Sequence, residues 1–180
     1  MRVISGSARG TKLIALPGED VTRPTIDRVK EGMFSALQFS LPGSRVLDLF
    51  AGSGQLGIEA LSRGAAKCTF VDRNRQAVSV VEKNCKAAGM MQNSRVLMSE
   101  ADAFLNTTNE MYHIVLLDPP YRQGILQQLL PKVAAVTEPG GTVLCESEVA
   151  ASLPDECDGL IKKKQYRYGT VLVTRYEKER

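Results

Sequence analysis

Asp118-Pro119-Pro120-Tyr121 follows directly on the apolar run Ile114-Val115-Leu116-Leu117. Two consecutive prolines remove two backbone donors and fix φ. Each also pushes the residue before it towards extended geometry. The result is a stiff rim that offers acceptors, the Asp118 carboxylate and the Pro119 carbonyl, with the Tyr121 ring beside them. Such a rim suits a planar aromatic amine. The lone pair of an exocyclic –NH2 is delocalised into its ring, so the nitrogen is a poor nucleophile. Gripping both N–H bonds favours the tetrahedral geometry in which the lone pair points at an incoming group. Stacking on Tyr121 adds ~1–3 kcal/mol per base. A base must leave its own stack to enter such a pocket.

The second chemical signal is Asp48-Leu49-Phe50-Ala51-Gly52-Ser53-Gly54-Gln55-Leu56-Gly57, which satisfies G-x-G-x-x-G. Glycines here permit a tight turn and close backbone approach to a ligand, with helix N–H groups facing it. Alone, the pattern does not separate a nicotinamide dinucleotide from S-adenosylmethionine. A carboxylate at Asp48 disfavours a pyrophosphate and suits the ammonium of a methionyl group. Asp72, ending the next strand run, suits ribose hydroxyls and is compatible with either ligand. Asp102 reads equally as an acceptor for the adenine amine or as the N-cap of a helix at 103–106. There is no G-x-x-x-x-G-K-[ST], which excludes a P-loop nucleotide site. His113, the only histidine, sits in an apolar run and reads as core rather than as the proton donor of a dehydrogenase.

The elements that position these residues alternate. Strand runs at 46–50, 67–72, 95–98, 114–117 and 142–146 are separated by helical patterns around 56–63, 77–88 and 126–133. The Pro139-Gly140-Gly141 turn leads into the fifth strand, and two shorter strand runs lie near 160–161 and 171–173. Near-continuous apolar strands between amphipathic helices predict a doubly wound α/β fold with a mostly parallel, seven-stranded sheet. Ligands in such folds sit beyond the carboxyl ends of the strands, where strand order reverses. Before this unit, a helix runs from about Thr25, which can cap it, to Phe39. Residues 1–24 form a short basic β-hairpin extension, and residues 25–180 form the α/β domain.

At 180 residues, 43% hydrophobic and 24% charged, the chain is globular in composition. No run approaches the ~20 apolar residues of a membrane span, and the start turns polar before a signal peptide could form. A cytoplasmic address and no membrane contact are expected. Cys68, Cys85, Cys145 and Cys157 are scattered, so neither a metal site nor a disulfide framework is expected. The net charge of +3 is unevenly spread. Positive charge gathers in residues 1–30 and 161–180 around an acidic centre. That asymmetry points to a polyanionic partner such as nucleic acid, with a solvated surface as the bland alternative. The candidate RNA-binding residues are Arg2, Arg9, Lys12, Arg23, Arg28 and Lys30. For Lys162-Lys163-Lys164 a solvated strand edge is the plainer reading.

Taken with the segment Thr22-Arg23-Pro24-Thr25-Ile26-Asp27-Arg28-Val29-Lys30-Glu31 and the start Arg2-Val3-Ile4-Ser5-Gly6, these motifs resemble class I S-adenosylmethionine-dependent methyltransferases with an amine-methylating Asp-Pro-Pro-Tyr turn. More narrowly, the chain resembles the bacterial family that methylates a guanine N2 of 16S ribosomal RNA. The resemblance implies S-adenosylmethionine as cofactor, bound by Asp48, Phe50, Gly52, Gly54, Asp72, Arg73, Asp102 and Ala103. It implies a base-facing catalytic set of Asp118, Pro119, Pro120 and Tyr121. It further implies ribosomal RNA or a partly assembled small ribosomal subunit as partner, with the chain acting as a monomer. Arg23, Thr25, Asp27 and Arg28 flank the cofactor mouth or touch RNA. Gln55, in place of a small residue after Gly54, is expected to point along its helix. The rival readings are another amine acceptor (adenine N6, cytosine N4 or a protein glutamine), a nicotinamide-dependent oxidoreductase, and a non-catalytic RNA-binding module.

Overall fold

The computed structural model describes residues 1–18, 24–121 and 124–180, apart from the side chains of residues 24–26. Arg23 and the capping side chain expected at Thr25 therefore lie outside the described residues. The elements run α1 (Pro24–Leu37), β1 (Arg45–Asp48), α2 (Gln55–Ser62), β2 (Lys67–Asp72), α3 (Arg75–Ala87), β3 (Ser94–Met98), α4 (Ala101–Thr107), β4 (Tyr112–Leu117), α5 (Ile125–Val136), β5 (Thr137–Glu148), β6 (Glu156–Cys157), β7 (Leu160–Tyr168) and β8 (Val171–Lys178). Pro24 opens α1, where a missing N–H costs nothing and the fixed φ suits the first turn.

Among the described residues there is one sheet of eight strands, ordered β3-β2-β1-β4-β5-β8-β7-β6. The strands from β3 to β5 are parallel, and β8, β7 and β6 continue antiparallel. The class is the expected one, but seven strands become eight. The addition is β6, two residues paired with Leu160 and Ile161. A strand that short leaves no periodic signal. Pro139-Gly140-Gly141 also departs from expectation. It stays within β5, and the pairing to β4 shifts there between Tyr112 and Ile114. Gly140 takes a positive φ of 78° at this irregularity.

Both faces of the sheet are covered. Val46, Phe70, Ile114, Leu116 and Leu144 point into a core closed by α1, α2 and α3. Their neighbours Leu47, Val71, Val115, Leu117 and Val143 point into a second core closed by α4 and α5. The period-two alternation sends successive side chains to opposite faces. Because both faces are dry, the strands look uniformly apolar in sequence. Strand order reverses between β1 and β4, so a crevice opens beyond their carboxyl ends. Among the described residues, no helix is long and apolar enough to cross a membrane.

The amino-terminal segment doubles back through a single antiparallel bridge, Arg2 to Lys12. Flanking backbone bonds run from Val3 N–H to Thr11 O at 3.0 Å and from Leu13 N–H to Met1 O at 3.0 Å. Its apolar residues Val3, Ala8 and Leu13 sit in the first core.

Candidate active site

The glycine loop is held by carboxylates from both sides. Asp48, almost fully buried, accepts the Gly57 N–H on Oδ2 at 3.0 Å. Asp72 accepts the Gly52 N–H on Oδ2 at 2.9 Å and the Asn74 N–H on Oδ1 at 2.8 Å. Gly54 closes the turn with φ 82° as the N-cap of α2. The third glycine has a packing reason. A Cβ on Gly57 would lie 2.2 Å from the Phe70 ring, so only glycine lets α2 rest on β2.

A buried side chain ties this loop to the amino-terminal segment. Asn84 of α3 donates from Nδ2 to Ser53 O at 2.8 Å and to Ile14 O at 2.9 Å. Its Oδ1 accepts the Ile14 N–H at 2.7 Å. Amide groups supply donors and acceptors together, which allows one side chain to clamp two backbones.

The rim after β4 faces the same space. A cavity of about 1210 Å³ is lined by Phe50, Gly52, Asp72, Arg73 and Asp102 together with Asp118, Pro119, Pro120, Tyr121 and Glu146. That exceeds the ~300–1,000 Å³ typical of a single small-molecule pocket, leaving room for two groups side by side. The Tyr121 hydroxyl donates to Glu146 Oε1 at 3.0 Å. Burial, then the charge of Glu146, pushes the Tyr121 hydroxyl pKa well up, so the tyrosine remains a proton donor. Burial likewise raises the pKa of Glu146, and the hydroxyl it accepts partly offsets that.

Other expected residues fall differently. Asp48 does not line the cavity, because its carboxylate lies behind the loop on Gly57. Gly54 and Ala103 are not lining residues either. Helix α4 starts at Ala101 after a Glu100 cap, which puts Asp102 in the first turn rather than at the cap. Asp102 accepts from Asn106 Nδ2 at 3.0 Å and pairs with Lys132. Gln55, expected to point along its helix, is a lining residue. His113 accepts the Arg45 N–H on Nδ1 at 3.0 Å, outside the cavity lining.

Among the expected RNA contacts, Arg2, Arg9, Lys12 and Arg28 are exposed. Lys30 is not. It is 2% exposed and pairs with the fully buried Glu59 at 3.0 Å. Its ammonium also donates to Arg2 O at 3.1 Å. Buried and paired in this way, Lys30 leaves the exposed basic set, and what surface it keeps lines the cavity. Lys162 is also engaged within the fold, with Asp155 Oδ1 at 2.7 Å. Sequence reasoning missed Glu146, Glu59 and Asn84. Each is a polar residue within a buried element, and an unexplained polar residue at such a place was the available signal. Among the described residues, no group of three or more His, Cys, Asp or Glu is arranged to hold a metal ion.

The fold and the crevice define a doubly wound α/β protein with a loop-and-rim cavity at the strand-order reversal. The family model described as conserved hypothetical protein 95 matches residues 1–177, and the chain belongs to that family. A Bacillus subtilis (strain 168) relative, YlbH, provisionally named an rRNA methyltransferase, is 38% identical, with 99% of each chain covered. The ribosomal RNA small subunit methyltransferase D of Escherichia coli K12 is 38% identical over 86% of this chain and 78% of its own length. The solved structure of yhhF from Escherichia coli, provisionally named a methyltransferase, superposes with TM-score 0.87 at 33% identity, covering 99% of this chain and 98% of that one.

Proposed function

We propose that this chain transfers a methyl group from S-adenosylmethionine to the exocyclic N2 amine of a guanine in small-subunit ribosomal RNA. The carrying observation is that the glycine loop with Asp72 and the Asp118–Tyr121 rim line one cavity. The names of the relatives support rRNA methyl transfer as the class of reaction.

The residues present fit the donor. Asp72 keeps acceptor capacity beyond its two backbone bonds, since an ionised carboxylate offers about four acceptor positions, and that suits ribose hydroxyls. Phe50, Arg73 and Asp102 line the same cavity. When bound, S-adenosylmethionine supplies an electrophilic methyl on a sulfonium. Asp118 and the Pro119 carbonyl accept the two N–H bonds of the amine, and Tyr121 holds the base by its ring face. Transfer to that nitrogen would form the N–C bond as the donor's C–S bond breaks, the donor leaving as a neutral thioether and the amine proton passing to solvent. The Asp118 carboxylate offsets the positive charge that develops on that nitrogen.

The partner is read from charge. Arg2 and Lys12 are directly paired across their bridge. Like charges placed opposite each other repel, and a polyanion relieves that. We take residues 1–24 as an RNA-facing extension and residues 25–180 as the methyltransferase domain, with the substrate either rRNA or a partly assembled small subunit.

The test is mass-spectrometric nucleoside analysis of rRNA from cells with and without the protein, followed by methyl transfer in vitro. The deletion is expected to lose N2-methylguanosine at a single site, and a methylated adenine or cytosine instead would overturn the guanine reading. Asp118→Ala is expected to abolish turnover while S-adenosylmethionine affinity stays intact, and normal turnover by that variant removes Asp118 from the chemistry.

A further inference from the structure

Glu146 lines the cavity with Asp118 and Tyr121 but was not anticipated from sequence. It sits on β5, paired with Val173 of β8 and one residue beyond the last pairing to β4, Leu117 with Cys145. One oxygen, Oε1, accepts the Tyr121 hydroxyl at 3.0 Å. The other, Oε2, has no hydrogen bond or ion pair among the described residues, and no described cation pairs with either oxygen. A carboxylate partly withdrawn from solvent in such a place is destabilised unless donors meet both oxygens. Burial raises its pKa, in keeping with that cost.

The amine grip of Asp118 and Pro119 does not choose between bases, because guanine, adenine and cytosine all carry an exocyclic –NH2. What differs is the ring position beside the amine. Guanine presents a second donor there, N1–H. Adenine presents the N1 lone pair and cytosine the N3 lone pair. An ionised carboxylate accepts only. It pairs with guanine N1–H and opposes the lone pair of the other two.

We propose that Glu146 is the base-discriminating residue, holding Tyr121 through Oε1 and accepting guanine N1–H on Oε2. This rests on reading the cavity as a guanine-N2 methyltransferase site. A site built to pair with a substrate donor rejects analogues lacking it strongly, because its own buried acceptor is then left unmet.

The test uses small-subunit RNA carrying 2-aminopurine in place of the target guanine. That base keeps the N2 amine and the stacking face but presents a lone pair at N1. The wild-type protein is expected to prefer guanine by at least about 100-fold in methyl transfer. In Glu146→Gln the amide can donate to the N1 of 2-aminopurine, and the preference is expected to narrow by at least about tenfold. S-adenosylmethionine binding by the variant, measured calorimetrically, is expected to match the wild type and serves as the folding control. A variant with intact donor binding and an unchanged preference overturns the assignment. If the variant does not fold, a wild-type preference below about tenfold overturns it without any variant. Failure of the underlying reading looks different: the wild-type protein then forms no N2-methylguanosine on unmodified RNA.

Discussion

Lys30→Met removes a buried charge from a network whose members are all visible. Lys30 and Glu59 are 2% and 0% exposed and 3.0 Å apart. Breaking a buried pair by deleting one partner costs about 3–5 kcal/mol, since the other charge stays in the interior. Glu59 keeps three donors: the Ile4 N–H at 2.9 Å, the Ser5 N–H at 3.0 Å and Arg63 Nε at 2.9 Å. Arg63 also keeps its charge beside the carboxylate. The cost therefore belongs at the lower end, about 3 kcal/mol. For a chain of this size each kcal/mol lowers Tm by ~2–4 °C, so a fall of about 6–12 °C is expected. Thermal and urea unfolding at neutral pH measure this, with Lys30→Met/Glu59→Gln completing a double-mutant cycle. RNA affinity of the folded variant, and its salt dependence, are expected to stay at wild-type values. A loss below about 1 kcal/mol, together with a shallower salt slope, would show that the ammonium leaves the core to meet phosphate, refuting the argument.

Three further outcomes follow from the same structure. Gly57→Ala forces a Cβ to within 2.2 Å of Phe70, so a stability loss of ~1–3 kcal/mol from overpacking and weaker S-adenosylmethionine binding are expected by calorimetry. Because the folded state raises the Glu146 pKa, it retains a proton that the unfolded chain releases. Stability therefore falls as pH rises from the ordinary carboxylate range through the raised value. Glu146→Gln is expected to exceed the wild type in Tm at neutral pH and to lose that advantage in acid, and an advantage that persists in acid contradicts the burial argument. Arg2→Ala/Lys12→Ala is expected to weaken RNA binding uniformly across sequences and to lower the log–log salt slope by about 1 per cation, measured by filter binding or anisotropy.

Local chemistry was legible in the residues themselves. Pro119 and Pro120 stiffen their turn wherever it lies, because the constraint is covalent. The glycines at 52, 54 and 57 announce a loop that a side chain would obstruct, and the apolar runs flanked by amphipathic helices announce a parallel sheet. Those features act over a few residues, so their spacing carries them. The destination of a polar side chain does not work that way. Lys30 reads as one more cation beside Arg28, yet α1 turns it inward onto Glu59, about thirty residues away in sequence. Asp48 reads as a ligand-facing acid, yet the α2 N-terminus takes its carboxylate through Gly57. Glu146 carries no motif at all, and it acquires meaning only because β4 and β5 lie side by side and bring Tyr121 within 3.0 Å of it. Sequence alone determined the fold class and the backbone constraints of the two loops, since backbone constraint and periodicity are local properties. Tertiary structure alone decided which charges are buried and which face the cavity, since burial depends on neighbours brought together from distant parts of the chain.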